Sequence, residues 1–147
     1  PVVAKLADEY DIKVAIHNHP QPSLYANYET VLEAVNGLSE RIGACADTGH
    51  WPRSGINALD AVKALEGRLI SFHLKDINEF GVKDAHDVIW GTGVCDVEGI
   101  LTEIARQGIK EPQFFIEYEY NWDNNLPDIA ACVAYFNQIA ENLGAAK

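Results

Sequence analysis

Basic residues are scarce in this chain. Lys and Arg together number 11 against 22 Asp and Glu, a formal net charge of −11 over 147 residues. No basic stripe is visible. A surface this acidic is repelled by phosphate backbones and by anionic lipid headgroups, which argues against nucleic acid and membrane surfaces as partners. Cysteine is sparse too. Cys45, Cys95 and Cys132 are an odd number with no Cys-x-x-Cys spacing, so neither a disulfide framework nor a thiolate zinc site is expected. Free thiols fit a cytoplasmic location. No apolar run approaches the roughly 20 residues of a membrane span. No secretory signal is visible, and the first residue is Pro1 rather than Met, so the sequence is expected to begin within a longer chain. Nucleotide and hydrolase signatures are also missing. Gly91-x-Gly93 follows no strand and never becomes a full Gly-x-Gly-x-x-Gly, and no Gly-x-Ser-x-Gly occurs.

What is present is an ordinary globular balance, 48% hydrophobic and 22% charged, sufficient for one domain over residues 1–147 with a real core. Apolar spacing predicts helices over 2–10, 28–36, 58–65, 96–106 and 126–143, with Asp96 capping the fourth and Gly108 ending it. Strands are expected over 12–17, 42–47, 68–75 and 113–118. Residues 48–53 read as a loop. The stretch 76–95 reads as a long loop, of the kind that is usually functional or mobile. Strands alternating with helices imply βαβ crossovers and a parallel sheet.

Parity within the strands refines this. Val14, Ile16, Ile42, Ala44, Ala46, Ile70, Phe72, Leu74, Phe114 and Ile116 share one register, which suits a face covered by helices. Ala15, His17, Cys45, Asp47, Ser71, His73, Phe115 and Glu117 share the other, and it turns polar where each strand ends. A (β/α) barrel of the TIM type has that character, because its site lies at the carboxyl ends of the strands. Such a barrel needs eight strands and four are visible. The expectation is therefore a half-barrel of four βα units.

His17, Asp47, His73 and Glu117 end the four strands in the inward register. Alone, each has a simpler reading as a helix cap or hydrogen-bonding group; together they form a mixed nitrogen and oxygen donor set for a divalent metal. Mn²⁺, Zn²⁺, Fe²⁺, Co²⁺ and Mg²⁺ all suit it, and the two imidazoles shift the preference toward a transition metal. Around this set, His50 follows Asp47 across a glycine turn and could orient a ligand or touch substrate. Lys75, two residues past His73, could hold a substrate oxygen or pair with Asp76 or Glu119. His19 and Glu119 continue the inward register. Asn18 is in the outward register and reads as structural. Trp90 in Trp90-Gly91-Thr92-Gly93 could stack over a ligand, and Trp51 and Trp122 lie in other strand-end loops. Aromatic rings at a site mouth suit sugar faces, though packing is an equal use for them.

The chain resembles the sugar phosphate isomerase/epimerase superfamily, the xylose-isomerase-like barrels. The resemblance rests on Ala-Ile-His-Asn-His-Pro at 15–20, Asp-Thr-Gly-His at 47–50, Ser-Phe-His-Leu-Lys-Asp at 71–76, Trp-Gly-Thr-Gly at 90–93 and Phe-Ile-Glu-Tyr-Glu at 115–119. It runs in order along the chain as the carboxyl-terminal half of such a barrel. It implies a divalent metal, Mn²⁺ or Zn²⁺ foremost, and a small carbohydrate substrate. The family's usual ligands are Glu, Asp, His and Glu. The last three match Asp47, His73 and Glu117, and the first falls on His17. That departure bears on the reaction, since the family's epimerases use the two glutamates as acid and base from opposite faces of the substrate.

The expected function is a metal-dependent sugar or sugar phosphate isomerase or epimerase. Glu117 would move the proton, and Lys75 and His50 would steady substrate oxygens. His19, Trp51, Trp90 and Glu119 would bind substrate. A metal-dependent lyase or hydrolase acting on 3-keto-glycosides is the alternative, and a non-catalytic sugar- or partner-binding half-barrel a third. The half-barrel is expected to be completed by a second copy, as a homo-oligomer, or by the missing amino-terminal half.

Overall fold

The computed structural model describes residues 2–145. Its single sheet has four parallel strands in the order β1-β2-β3-β4, namely Val14–His17, Ile42–Asp47, Leu69–Leu74 and Gln113–Ile116. Helices α1 (Val2–Glu9), α2 (Tyr28–Val35), α3 (His50–Arg53), α4 (Ala58–Ala64), α5 (Val97–Gln107) and α6 (Leu126–Ala145) fill the intervals. Sequential parallel neighbours joined by helical crossovers give half of a TIM-type barrel. The boundaries fall within a few residues of those expected from periodicity. β1 begins two residues later and β4 ends two residues earlier, as edge strands often fray.

Local chemistry explains the helix starts. The Asn27 carboxamide accepts from Glu29 N at 3.2 Å, Asn57 from Asp60 N at 3.0 Å and Asp96 from Gly99 N at 3.1 Å. Each satisfies an amide that the first helical turn leaves without a partner. Gly108 ends α5 at φ +62°. The core lies between sheet and helices, around Phe72, Leu74, Val62, Leu65, Val97 and Ile100, all essentially without exposure. Among the described residues no helix is long and apolar enough to cross a membrane.

Two expectations fail here. Residues 48–53 are not all loop: His50–Arg53 makes one helical turn. The Asp47 carboxylate accepts from Gly49 N at 3.0 Å and His50 N at 2.9 Å, which nucleates the turn. Pro52 lies in that first turn, where its missing N–H costs nothing. The second failure is Ile70. The ladder pairs Ala44 with Leu69 but Cys45 with Ser71, so Ile70 is an extra residue, a bulge. The alternation of β3 therefore changes below Ser71. Leu69 enters the core, while Ile70 lies beside Gly43 of β2.

Gly43 is required by that contact. A Cβ there would stand 2.1 Å from the Arg68 carbonyl oxygen and 2.9 Å from Ile70 Cδ1. Gly43→Ala is expected to destabilise the fold by about 1–3 kcal/mol through overpacking against backbone, read as a lowered urea midpoint. Gly37→Ala, where a Cβ meets nothing within 4 Å but φ is +69°, should cost less, about 1 kcal/mol.

Candidate metal centre

The register aligns the strand ends. Asp47 stands opposite His73, and His17 opposite Cys45, two residues before Asp47. Glu117 follows the last residue of β4 and stays in the inward alternation. Donor atoms of His17, Asp47, His73 and Glu117 consequently lie within 4.8 Å of one another. His17 Nε2 is 3.4 Å from Asp47 Oδ2. That spacing is the edge of a tetrahedron whose centre-to-ligand bonds are about 2.1 Å, the length of zinc bonds to nitrogen and oxygen. His73 Nδ1 and Glu117 Oε2 are in direct contact. The donor set therefore suits a divalent ion in its chemistry and in the proximity of its atoms.

Two side chains extend the sheet beyond its strands and fix this layer. Asn18 is buried and pairs with the Asp47 backbone twice: Nδ2 donates to Asp47 O at 3.0 Å, and Oδ1 accepts from Asp47 N at 2.8 Å. Thr48 Oγ1 does the same for Lys75, donating to its carbonyl and accepting from its N–H, both at 2.8 Å. Each carboxamide or hydroxyl replaces a backbone unit in the ladder, so the residues beside them cannot swing.

Lys75 is fully buried and paired. Its Nζ is 3.1 Å from Glu117 Oε1 and 3.4 Å from Asp47 Oδ2, and it bonds Glu119 Oε2. Burial pushes its pKa down, but Asp47, Glu119 and Glu117 outweigh that and hold it above the ordinary lysine value. Burial likewise pushes the Asp47 pKa up; the His17 hydrogen bond and the charges of His50 and Lys75 reverse this and leave it below the ordinary value. Glu117 follows the same pattern, burial opposed by His73 and Lys75, with a net lowering. The centre is thus anionic with one internal cation.

His50 behaves differently. Burial drives its pKa down to about 4, Asp47 opposes, and Lys75 and Arg53 add to the fall, so the ring is neutral at neutral pH. Its Nδ1 faces Arg53 Nη1 at 3.1 Å. Its Nε2 is 3.4 Å from Asp47 Oδ2 but makes no hydrogen bond there, and it has no partner among the described residues. His19 lies at the mouth, with ring centroids 4.8 Å from His17 and 4.7 Å from His50. Glu119 is half-exposed at the same rim.

The tryptophans correct the sequence reading. Trp51 and Trp90 are 1% and 3% exposed, so neither ring is available to stack on a sugar. Trp51 is in the helix-side core, and Trp90 lines a small cavity there with Leu74, Phe114, Val133 and Phe136. Trp122 is the exposed one. The 76–95 stretch is no free flap either. Asp76, expected as a partner for Lys75, instead accepts from Gly91 N, Gly93 N and Cys95 N, each at 2.9 Å. Asp87 ties the same stretch to the rim, accepting from Arg53 Nη2 at 2.9 Å and from Glu119 N. Sequence reasoning missed Arg53 and Asp87. Arg53 lies three residues after His50, a helical spacing that would have flagged it had 50–53 been read as a turn of helix. Nothing in the sequence marks Asp87.

Four strand-end donors converge on one point at the carboxyl end of a parallel half-barrel sheet. The chain belongs to the xylose isomerase-like TIM barrel family, whose model matches residues 2–138. No curated protein matches it significantly. Among solved structures, a D-tagatose 3-epimerase-like protein superposes with a TM-score of 0.78 at 21% identity, covering 98% of this chain and 52% of that one. A protein of Parabacteroides distasonis is 34% identical with a TM-score of 0.59, covering 92% of this chain and 52% of its own. The IolI protein, solved with a zinc atom bound, gives 0.76 at 17% identity, covering 95% of this chain and 53% of that one. The chain spans about half the length of these structures.

Two outcomes are expected from these contacts. Between pH 6.5 and about 4 the unfolded chain protonates His50 while the folded chain does not. Stability contributed by neutral His50 is present above pH 6.5 and lost as pH falls toward 4, with a slope of up to about 1.4 kcal/mol per pH unit. His50→Gln should flatten that limb of a plot of urea midpoint against pH. Asp76→Ala leaves three loop amides without an acceptor and should cost about 3 kcal/mol or more, with faster hydrogen exchange confined to 91–95.

Proposed function

We propose that this chain carries the metal-binding half of a divalent-metal-dependent sugar isomerase or epimerase. The observation that supports the reading most is the convergence of His17, Asp47, His73 and Glu117, one from each strand end, with Lys75 and His50 beside them. A divalent ion held by those four, Mn²⁺ or Zn²⁺ foremost, supplies Lewis-acid polarisation of a carbonyl and its neighbouring hydroxyl. The protein's own groups do the rest. The Lys75 ammonium stabilises charge developing on a substrate oxygen, in a site where burial strengthens its field. His50 Nε2 meets a second oxygen. Glu117, which is partly exposed, carries the proton between carbon or oxygen positions. His19 and Glu119 frame the entrance for polar sugar hydroxyls.

A second reading has its own support. Among the described residues, the site carboxylates come from β2 and from the end of β4, while β1 contributes only imidazole at His17. A metal-bound imidazole moves protons poorly, so two-base epimerisation lacks its second base on that wall. Polarisation of a ketone acidifies the adjacent C–H, and with one base that favours elimination or hydrolysis of a 3-keto-glycoside. Among the described residues β1 and β4 each lack a neighbour on one side, and Phe115 and Ile116 are exposed on β4. We propose that four further strands close the barrel there, from a second copy or from another part of a longer chain. A solution mass showing only a monomer excludes the homodimer.

The assembled protein should bind one Zn²⁺ or Mn²⁺ per site in calorimetric titration, and His73→Ala should weaken binding by more than about 100-fold. With metal present, deuterium exchange from solvent into free ketoses supports the isomerase; aglycone release from a 3-keto-glycoside supports the alternative. Lys75→Met should lower kcat by about 100-fold or more. Unaltered metal affinity in His73→Ala would overturn the ligand assignment.

A further inference from the structure

We propose that Arg53 is a positioning residue that locks His50 in the Nε2–H tautomer, so that His50 offers the site a hydrogen-bond donor and never a metal-binding lone pair. The inference rests on the functional reading above only for its consequence, not for its evidence.

The evidence is local. A guanidinium has five N–H groups and no acceptor. Arg53 Nη1 is 3.1 Å from His50 Nδ1 in hydrogen-bonding geometry, so that nitrogen must present a lone pair. A proton on Nδ1 would face another N–H at contact distance. In a neutral ring the remaining proton then sits on Nε2. The other end of the ring agrees: Nε2 lies 3.4 Å from the Asp47 carboxylate, which disfavours a lone pair there.

Arg53 is itself held. Its Nε donates to the Ala85 carbonyl at 3.0 Å and its Nη2 to Asp87 Oδ1 at 2.9 Å. The contacts engage all three nitrogens of one planar group, so the guanidinium cannot rotate to release the imidazole without breaking the others. The His50 backbone is fixed from the other side by Asp47 Oδ1. The 76–95 stretch thus sets the protonation pattern of the His50 ring through Arg53.

The consequence separates competing uses of the histidine cluster. His17, His19 and His50 also bring one nitrogen each within 4.8 Å of one another, as do His50, Glu117 and Glu119 with one donor atom each. Either group would be a second cation site if His50 Nε2 carried a lone pair. The Nε2–H form takes His50 out of both, leaving the groupings built on His17 and His73, with Asp47 and Glu117 or with Cys45. The buried Nε2–H, without a partner among the described residues, then selects a substrate with an acceptor oxygen at that point, a carbonyl or an alkoxide-like hydroxyl.

The test is a long-range ¹H–¹⁵N correlation spectrum of the histidine side chains of the metal-free protein at neutral pH, repeated after adding Zn²⁺. His50 should show a protonated Nε2 and an unprotonated Nδ1 in both spectra, while His17 and His73 shift with Zn²⁺. Arg53→Met combined with Asp87→Asn, which avoids leaving a buried lone charge, should admit a measurable Nδ1–H population. Arg53→Lys, which restores a donor, should return the ring to the wild-type pattern. A wild-type His50 protonated on Nδ1, or an Nε2 that loses its proton on Zn²⁺ addition, overturns the proposal. An unchanged tautomer in the double variant overturns the part assigned to Arg53. None of these outcomes depends on turnover, and failure of Zn²⁺ to bind would count against the metal-centre reading alone.

Discussion

The two oxygens of the Asp47 carboxylate do different jobs, and the rest of the site depends on both. Oδ1 closes the turn after β2 by accepting two backbone amides. Oδ2 faces His17, His50 and Lys75, each at 3.4 Å. The residue is wholly buried on a strand with neighbours on both sides. A carboxylate in that position is tolerable only with such compensation, and the buried Lys75 needs Asp47 just as much. Turn geometry, ligand placement and charge balance are therefore one constraint, enforced by a single side chain.

The chain repeats one device around that residue. Where a strand ends and the backbone turns away, a side chain continues the ladder: Asn18 for β1 beside β2, Thr48 for β2 beside β3. Barrel sites lie at these ends, where backbone pairing runs out. Completing the pairing with carboxamide and hydroxyl keeps the layer rigid while leaving the next inward residue free to point at a ligand. The long 76–95 stretch serves the same end from outside. It is braced by Asp76 and Asp87 rather than poised to move.

Much of this is legible in the sequence, for physical reasons. Periodicity of 2 in the strands and 3.6 in the helices exposed the parallel α/β plan. Because inward residues share one parity, His17, Asp47, His73 and Glu117 could be grouped across long stretches of sequence. The same rule misplaced Ile70, because a bulge shifts parity and leaves no mark in composition. Trp51 and Trp90 were misread because residue type cannot say which side of a loop faces the core. Arg53 and Asp87 were invisible for another reason. Their pairing joins the β2 and β3 crossovers through space, and neither follows a strand-end pattern. Asn18 was correctly read as structural, although its pairing with Asp47 was not.

The bulge at Ile70 also has a consequence for how this sequence can change. It divides β3 into a lower part, Leu69 and Ile70, whose facing is set against Gly43 and the core, and an upper part, Ser71 to Leu74, whose facing is set by the ladder to Cys45 and Asp47. An irregularity of this kind works as a slip joint. With Gly43 held as glycine by the Arg68 carbonyl, volume can be traded between Leu69 and Ile70 at the closed end of the barrel without transmitting a rotation to His73. Side-chain changes at Leu69 and Ile70 on the floor of the barrel are thereby uncoupled from the alignment of His73 at its rim, along one and the same strand.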